Sequence, residues 1–241
     1  MIIRCKCLFS DIMKNNNAPG CMILFVKAPV LGAVKTRLAA HIGAEEALLL
    51  YRAFVADVLE RVSAMDLRLR IFYYPPREWG LMREWLGEGL RFCAQRGEDL
   101  GERMHEAFCR AAQEGFERIV LAGSDIPELD ERIISGAFSA LEKTPAVIGP
   151  AADGGYYLAG FRADSVCRQV FAGIDWGTDR VLDQTLEHFA EQGLSVEMLP
   201  CLSDIDTVAD LTALSSRLSA QPDLAARLRH TGKALMETRG L

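Results

Sequence analysis

Short apolar runs alternate along the chain with longer amphipathic segments. The runs are rich in β-branched and aromatic residues, which is typical of strands in a buried sheet. They fall at 22–26, 67–74, 91–95, 119–122, 146–149, 156–161 and 195–199. Apolar residues recur at helical spacing over 44–62, 79–86, 99–112, 130–143, 179–192 and 207–218. The alternation predicts an α/β fold with a doubly wound, mainly parallel sheet.

The sequence ERIVLAGSDIP contains the run around which we expect the chain to be organised. Its apolar residues stop abruptly at Gly123, Ser124 and Asp125, and Pro127 lacks the N–H that a continuing strand or helix needs. A carboxylate is therefore placed at the carboxyl end of a central strand. Open α/β sheets bind their ligands at that edge.

Other charged residues also follow predicted strands and should meet Asp125 at the same edge. They are Lys35 and Arg37 in the first loop, Asp153 in a glycine turn, and Asp204 and Asp206 after the last strand. Because Asp-Gly turns are typical of hairpins, strand 156–161 is predicted to return antiparallel, and we place it at an edge of the sheet. Complementing a helix dipole is an alternative role for one of Asp204 and Asp206.

The first loop, KAPVLGAVKTRLA, follows a strand and leads into a helix. Gly32, Lys35 and Arg37 give it a glycine turn and cations at the mouth of the helix, an arrangement that suits phosphate. Two residues separate Gly32 from Lys35, so the loop is not a Walker A motif and a P-loop ATPase is excluded. A surface loop with ordinary solvated cations is the alternative.

Several polar residues have purely structural interpretations. Asp99 with Glu102, and Thr207 with Asp210, match helix capping pairs. Thr178 or Asp179 is predicted as the N-cap of helix 179–192. The basic residues of the predicted helical tail are interpreted as a solvated face: Arg227, Arg229, Lys233 and Arg239.

Composition narrows the class of protein. With 241 residues, 50% hydrophobic and a net charge of −6, the chain can bury a sizeable core and lacks the basic excess typical of nucleic-acid binding. No apolar stretch approaches the ~18 residues of a membrane span. Seven cysteines, five of them among apolar runs, favour reduced, core-filling thiols and a cytoplasmic location.

We divide the chain into three parts. Residues 1–20 are expected to be a poorly ordered extension, with Met13 and Met22 as alternative starts. Residues 21–218 form the main domain, and 219–241 are a helical tail of the same domain. Cys5, Cys7 and Cys21 do not make a zinc site, because a fourth ligand and the paired spacing are missing.

The chemistry at the predicted edge is that of phosphate binding with a metal. Cations and amides suit nucleotide phosphates, while carboxylates from two strands can hold a hard divalent ion, Mg²⁺ or Mn²⁺, that bridges them. Such an ion stabilises a departing diphosphate without a protein nucleophile. The sequence has no G-x-S-x-G elbow, no H-E-x-x-H and no cysteine with a catalytic partner.

Five segments, in order, resemble a known bacterial family of GT-A-type transferases. They are ILFVKAPVLGAVKTRLA, GSDIPELD, GPAADGGYYLAGF, GIDWGTDRVLDQT and LSDIDTVADL, within residues 22–218. That family was long carried as a domain of unknown function and is described as nucleotide-diphospho-sugar transferases or glycosyltransferases. Its wider superfamily includes the molybdenum-cofactor and phospholactate nucleotidyltransferases.

The resemblance implies a Rossmann-like GT-A fold in which Asp125 and Asp206 hold the metal, with Asp204 as the alternative second ligand. It implies catalytic roles for Asp125, Asp153 and Lys35. The implied nucleotide-binding residues are Ala28, Gly32, Lys35, Arg37, Gly97, Asp99, Leu100 and Ser124. The implied substrate residues, near the acceptor or sugar, are Gly154, Gly155, Tyr156, Trp176, Thr178 and Asp179.

Two departures from the related families leave the reaction open. GSDIP has one acid where most GT-A glycosyltransferases have Asp-x-Asp, and the first loop lacks the glycine-rich GxGTR form of sugar nucleotidyltransferases. The leading hypothesis is a glycosyltransferase that uses a nucleotide-diphospho-sugar and a small-molecule acceptor. The alternatives are a guanylyl- or cytidylyltransferase-like nucleotidyltransferase and a non-catalytic nucleotide-binding domain. The base, sugar, acceptor and oligomeric state are not encoded in any motif.

Overall fold

Seven strands form a single sheet in the computed structural model, which describes residues 20–238. The strands are β1 (Gly20–Lys27), β2 (Arg68–Tyr74), β3 (Phe92–Ala94), β4 (Arg118–Gly123), β5 (Ala146–Pro150), β6 (Tyr156–Arg162) and β7 (Val196–Met198). β1 begins at the last residue of the predicted extension, while Cys5, Cys7 and Arg239 lie outside the described residues.

The helices alternate with the strands and then follow them at the C-terminus. They are α1 (Thr36–Ile42), α2 (Ala44–Ala64), α3 (Trp79–Leu86), α4 (Leu100–Gln113), α5 (Glu131–Ala140), α6 (Val181–Glu191), α7 (Val208–Ala220), α8 (Pro222–Arg227) and α9 (Arg229–Glu237). The predicted α/β class with a mainly parallel sheet is confirmed.

The strand order is β3-β2-β1-β4-β6-β5-β7, and among these seven described strands only β6 runs antiparallel to its neighbours. The prediction that this strand lies at an edge is wrong, because β6 lies between β4 and β5. Its residues from Tyr157 to Phe161 are all buried, which requires neighbours on both sides and helices on both faces. The carboxyl ends of the six parallel strands and the start of β6 therefore share one edge.

Alternate residues of β1 enter two cores, one on each face of the sheet. Met22, Leu24 and Val26 pack with α2, α3 and α5, whereas Cys21 and Ile23 pack with α4 and α6. A third cluster lies on the outer side of α2, where α1 and the C-terminal helices α7 to α9 cover it. Helix α2 is thus packed on two sides and can position residues at the sheet edge.

Two predicted capping pairs are present and one predicted cap is wrong. Asp99 accepts from the Glu102 N–H at 2.8 Å, and Thr207 with Asp210 forms a complete capping box. Helix α6 begins at Val181, after Arg180, and has no side-chain cap. Thr178 instead donates its hydroxyl to the Asp175 carbonyl at 2.8 Å, which closes a turn before the helix.

The C-terminal basic residues are not simply a solvated face. Arg227 donates to Asp130 at 3.0 Å and Arg229 donates to Glu60 at 2.8 Å. Both ion pairs join the tail to the body of the domain, and surface pairs of this kind contribute about 0–1 kcal/mol each. Lys233 fits the prediction better, with a 57% exposed side chain.

The five cysteines of the described chain are free thiols. Cys21 and Cys93 are buried as predicted, but Cys109 and Cys167 are only partly buried and Cys201 is exposed. The expectation that all five fill the core is therefore wrong for Cys201, which lies in the loop between β7 and α7. Within residues 20–238, no helix is long and apolar enough to cross a membrane.

Candidate active site at the carboxyl edge of the sheet

A cavity of about 650 Å³ opens at the carboxyl edge of the sheet. One end, the β1–β3 end, is lined by Phe25, Lys27, Tyr74, Gln95, Leu100, Arg103 and Met104. The other, the β5–α6 end, is lined by Ala151, Asp153, Gly155, Tyr156, Trp176, Thr178, Asp179 and Asp204. Arg37, Ser124, Asp125 and Asp206 line the middle.

Lys35 joins two acids that come from distant parts of the chain. Its Nζ lies 3.3 Å from Asp125 Oδ2 and donates to Asp206 Oδ1 at 2.9 Å. The Lys35 side chain is only 2% exposed, whereas those of Asp125 and Asp206 are 39% and 36% exposed. Burial lowers the pKa of Lys35, but the two carboxylates outweigh it and the net pKa is raised. We call Asp125, Lys35 and Asp206 the acid bridge.

The backbone of Lys35 is held in an unfavourable conformation. Among the described residues it is the one non-glycine residue with a positive φ, at 47°, directly before α1. A left-handed lysine costs about 1 kcal/mol or more, and such strain persists only where the surrounding contacts impose it. The Lys35 side chain is held in place here by its two ion pairs in the acid bridge. Arg37, 72% exposed, lies two residues on, with Nη1 3.8 Å from Asp206 Oδ2.

Tyr51 of α2 connects the end of β1 to the loop that follows β4, residues 124–130, which we call the β4 loop. Its hydroxyl donates to the Lys27 carbonyl at 2.9 Å, accepts from the Lys27 N–H at 2.9 Å, and lies 3.3 Å from Ser124 Oγ. Burial raises the pKa of Tyr51, so the phenol stays neutral. Ser124, predicted to bind nucleotide, is buried against this hydroxyl and adjoins Asp125.

Arg61, two to three turns further along α2, holds the rest of the β4 loop. Its buried guanidinium donates to the carbonyls of Pro127, at 3.0 Å, and Leu129, and reaches the Arg227 carbonyl at 3.1 Å. A buried arginine that donates to these backbone carbonyls fixes both segments, because a buried acceptor that loses its donor is costly. The loop that carries Asp125 is therefore anchored to α2 and to the C-terminal helices.

Asp57 of α2 also serves the C-terminal helices. It accepts from the N–H groups of His230 and Thr231 at 3.0 and 2.8 Å, and so satisfies the first turn of α9. With Glu60 and His230 it forms the one trio in the described chain whose potential metal-ligand atoms lie within 4.8 Å of one another. Both Asp57 oxygens accept these bonds and Glu60 is paired with Arg229, so these acids already have structural partners.

Asp204 lies beside the acid bridge in a less hydrated position. Its Oδ1 is buried, and no hydrogen-bond partner reaches it among the described residues. Burial raises the pKa of Asp204 to about 7, and the charge of Asp153 adds to the rise while Lys35 opposes it. Near neutral pH this carboxyl therefore exchanges a proton, unlike an ordinary aspartate.

The β5–α6 end is shaped by the turn Asp153-Gly154-Gly155. Asp153 Oδ1 accepts from the Gly155 N–H at 3.0 Å. Gly154 has φ +89°, and a Cβ there would lie 2.2 Å from the Asp179 carbonyl oxygen. Only glycine permits this approach, which holds Asp179 against the turn. Tyr156 and Trp176 meet edge to face beside it, with ring centroids 6.2 Å apart.

The β1–β3 end combines planar groups with cations. The Arg103 guanidinium lies 4.2 Å from the centre of the Tyr74 ring. Gln95 is 6% exposed and donates Nε2 to the Phe72 carbonyl at 2.9 Å. Gly97, at φ +136°, brings its loop so close to α4 that a Cβ would lie 2.7 Å from the backbone nitrogen of Arg103.

The structure brings most predicted site residues to the cavity. Those that line it are Arg37, Leu100, Ser124, Asp125, Asp153, Gly155, Tyr156, Trp176, Thr178, Asp179 and Asp206. Lys35 lies beneath them, Ala28 is buried, and Asp99 caps α4 from an exposed position. Gly32, Gly97 and Gly154 shape loops through positive φ angles and are not among the lining residues.

Sequence reasoning missed residues at the β1–β3 end. Tyr74 ends β2 and Gln95 follows β3, so the rule that found Asp125 could have found both. Arg103 had no such signal, because it lies within α4 and reaches the cavity only through the packing of that helix. Tyr51 and Arg61 were hidden for the same reason in the apolar pattern of α2.

The donor set at the acid bridge fits a hard divalent ion. The middle of the cavity and its β5–α6 end hold the carboxylates of Asp125, Asp153, Asp204 and Asp206, and the buried Asp204 Oδ1 atom has no hydrogen-bond partner within residues 20–238. Oxygen ligands of this kind suit Mg²⁺ or Mn²⁺, and Mg²⁺ is commonly held by one or two carboxylates together with substrate phosphates and water. Among these four acids, Asp125 and Asp206 both contact the buried Lys35 ammonium.

These features define an α/β protein with the fold of nucleotide-diphospho-sugar transferases and nucleotidyltransferases. The family model of DUF2064, described as an uncharacterized protein conserved in bacteria, matches residues 58–178. The chain belongs to this family, which confirms the predicted kinship. No curated protein matches the sequence.

Solved structures agree with this assignment. A putative nucleotide-diphospho-sugar transferase from Desulfovibrio desulfuricans G20 is 40% identical, with a TM-score of 0.82 over 92% of this chain and 98% of the other. A cytidylyltransferase from Leptospira borgpetersenii is 14% identical, with a TM-score of 0.54 over 92% and 98%. A CMP-2-keto-3-deoxy-manno-octonic acid synthetase solved with CTP is 11% identical, with a TM-score of 0.54 over 85% and 100%. The last two share the fold.

Proposed function

We propose that this protein is a metal-dependent transferase of a nucleotide-activated group, with glycosyl transfer from a nucleotide-diphospho-sugar as its reaction. The observation that carries the proposal is the acid bridge. The carboxylates of Asp125, which follows β4, and Asp206, which precedes α7, both contact the buried Lys35 ammonium. They lie beside a cavity that is large enough for a nucleotide sugar. The 40% identical relative supports the donor class by its name.

The nucleotide binds toward the β1–β3 end in this proposal. Lys27, Arg37 and Arg103 are the cations that line the cavity, and they attract a diphosphate. The flat Tyr74 and Arg103 pair and the Gln95 amide then lie where a base or ribose can contact them. The sugar is left beside Asp125, facing the β5–α6 end.

Asp125 and Asp206 would hold the divalent ion in the proposed active site. When bound, it supplies positive charge that stabilises the departing diphosphate. Lys35 holds both carboxylates in place and offsets part of their charge. Arg37, close to Asp206 and largely exposed, is positioned to contact the same phosphates.

Asp153 is the proposed base. An acceptor hydroxyl oxygen forms a bond to the anomeric carbon of the sugar, and the bond from that carbon to the β-phosphate oxygen breaks. The nucleoside diphosphate leaves with the bonding electrons, and the hydroxyl proton passes to the Asp153 carboxylate. Asp153 is exposed to the cavity and its turn is fixed by the hydrogen bond to Gly155.

Nucleotidyl transfer is the second candidate, favoured by the single acid of GSDIP. In that reaction an acceptor phosphate attacks the α-phosphorus of a nucleoside triphosphate and pyrophosphate leaves. Incubation with Mg²⁺ or Mn²⁺ and panels of nucleoside triphosphates and nucleotide sugars separates the two. We expect nucleoside diphosphate as the product. Pyrophosphate would establish the second candidate, and tight nucleotide binding without either product would indicate a non-catalytic binding domain.

The Asp125→Asn variant tests the role of the acid bridge. We expect at least a 100-fold loss of metal-dependent turnover, because the neutral amide cannot balance the ion, with little change in fold. Calorimetry should also show weaker enhancement of nucleotide binding by Mg²⁺, a readout that does not depend on turnover. The matched control is Asp223→Asn, an exposed acid of α8. Full activity in Asp125→Asn would contradict the proposal.

A further inference from the structure

Charge is distributed unevenly between the two ends of the cavity. The cationic lining residues are Lys27, Arg37 and Arg103, all from segments that precede β4. The β5–α6 end contains Asp153, Asp179 and Asp204, and neither lysine nor arginine occurs among its described lining residues. The nearest arginine in sequence, Arg180, is 68% exposed and lies 3.4 Å from Asp175.

This distribution bears on what can bind beside the donor. The anionic donor is drawn to the cations, so its partner must occupy the β5–α6 end. Ionised carboxylates accept hydrogen bonds and donate none. The oxygens of a phosphate dianion are also acceptors, and like charges in a cleft with apolar walls repel strongly. Hydroxyl groups, in contrast, can donate to the exposed carboxylates of Asp153 and Asp179.

From this geometry we infer that the acceptor is an uncharged hydroxyl compound of the sugar or polyol class, and not an anionic phosphate. The inference rests on the proposed function and names the acceptor of that same site. It also selects between the two candidate reactions, since glycosyl transfer takes a hydroxyl acceptor whereas nucleotidyl transfer takes a phosphate. A protonated amine would be attracted to the same end, but it has no free electron pair with which to attack.

The edge-to-face pair Tyr156 and Trp176 supports a sugar-sized partner at this end. The Trp176 ring packs against α4 at Gly101, where a Cβ would lie 2.8 Å from the ring. The ring is thereby fixed next to Thr178 and Asp179, which also line the cavity. Apolar ring atoms beside carboxylates match the C–H and O–H groups of a polyol, whose surface alternates in the same way.

The first experiment uses two matched acceptor pools. One contains neutral hexoses, pentoses and glycerol, and the other contains the corresponding monophosphates. Each is incubated with the full-length protein, Mg²⁺ or Mn²⁺, and panels of nucleotide sugars and nucleoside triphosphates, and the products are identified by mass spectrometry. We expect consumption of a neutral compound with release of nucleoside diphosphate, at a rate at least tenfold above that of any phosphorylated compound.

Failure of the inference can be told from failure of the proposed function. Use of a phosphorylated acceptor at a similar or higher rate would overturn the inference, and so would tight nucleotide binding with no turnover of either pool. Calorimetry that detects no nucleotide binding with either metal would overturn the proposed function itself.

A charge-removal variant gives a second, quantitative test. Sugar monophosphates from the second pool are measured as inhibitors of the wild type and of Asp179→Asn. Removal of one carboxylate charge should tighten their inhibition by roughly three- to tenfold, and high salt should shrink the difference. The control is Asp183→Asn, an exposed acid four residues on that is absent from the lining. Equal inhibition of wild type and Asp179→Asn would overturn the inference.

Discussion

The acid bridge and the β5–α6 end carry the same residue type in opposite settings. At the acid bridge, each aspartate contacts a buried lysine, and the loop of Asp125 is tied to α2 through Tyr51 and Arg61. At the β5–α6 end, Asp153 is exposed and is held by its own turn. Asp179 lies in an exposed loop, and Gly154 approaches its backbone closely.

We infer from this difference in anchoring that the acid bridge serves catalysis, whereas the β5–α6 end mainly selects the substrate. Groups that act on a reacting bond need fixed geometry, which a helix packed on two sides provides. Groups that select a partner can lie on loops, where a change of side chain costs little stability. We therefore expect substitutions of Tyr51 and Arg61, which anchor the acid bridge, to affect stability and turnover together. Substitutions at the β5–α6 end, apart from the proposed base Asp153, should affect mainly selectivity, except where backbone contact is tight.

The largest expected effect is at Arg61, behind the acid bridge. Arg61→Met removes donors to three carbonyls, two of them in the β4 loop, and leaves buried acceptors unpaired. We expect a loss of about 3 kcal/mol in the free energy of unfolding, measured by urea denaturation. Arg132→Met, at an exposed position of α5, is the control and should change stability by less than about 0.5 kcal/mol. A stable Arg61→Met variant with normal turnover would show that Arg61 does not anchor the β4 loop.

An intermediate effect is expected at Gly154, where the β5–α6 end is tight. Gly154→Ala combines an unfavourable φ with a Cβ placed 2.2 Å from the Asp179 carbonyl oxygen. In Gly177→Ala the φ is similar, at +85°, but no atom of the described part of the chain, beyond the immediate neighbours of Gly177, lies within 4 Å of the added Cβ. We expect losses of about 2 and about 1 kcal/mol respectively, because only the first variant adds a clash to the strain. Equal losses would show that the approach to Asp179 is not close.

The smallest expected effect is a change in how stability depends on pH, and it is expected at Asp204, the residue of the β5–α6 end that lies beside the acid bridge. The pKa of Asp204 is raised from an ordinary 3.8 to about 7, so the folded protein binds more protons than the unfolded chain between these values. Stability contributed by the protonated carboxyl is therefore lost as pH rises through this window.

Asp204→Asn should flatten this decline. Urea denaturation at several pH values from 4 to 8 should give a wild-type slope steeper than that of the variant by about 1 kcal/mol per pH unit at most. Asp183→Asn, exposed on α6, should retain the wild-type slope. Parallel curves for Asp204→Asn and wild type would show that water reaches this carboxyl in the folded protein.

The fold could be read largely from local pattern. Every predicted strand and helix of the main domain is present within a few residues, because apolar runs and helical periodicity are properties of short segments. The exceptions are instructive. The sequence predicts too early a start for α6, because Thr178 bonds to the Asp175 carbonyl in a turn before the helix. It predicts β6 at an edge, because a hairpin signal identifies the partner β5 and gives no information about the second neighbour, β4.

That acids and cations follow the strands, and hence share one edge of the sheet, can be read from the order of residues. How they are paired depends on packing between distant segments. Lys35 and Asp206 are 171 residues apart, and no local pattern reports a contact between them. The same packing buries Asp204 and raises its pKa, and it separates cations from carboxylates along the cavity. Ion pairing, burial and electrostatic potential depend on distances between atoms in space, and these distances cannot be read from the order of residues.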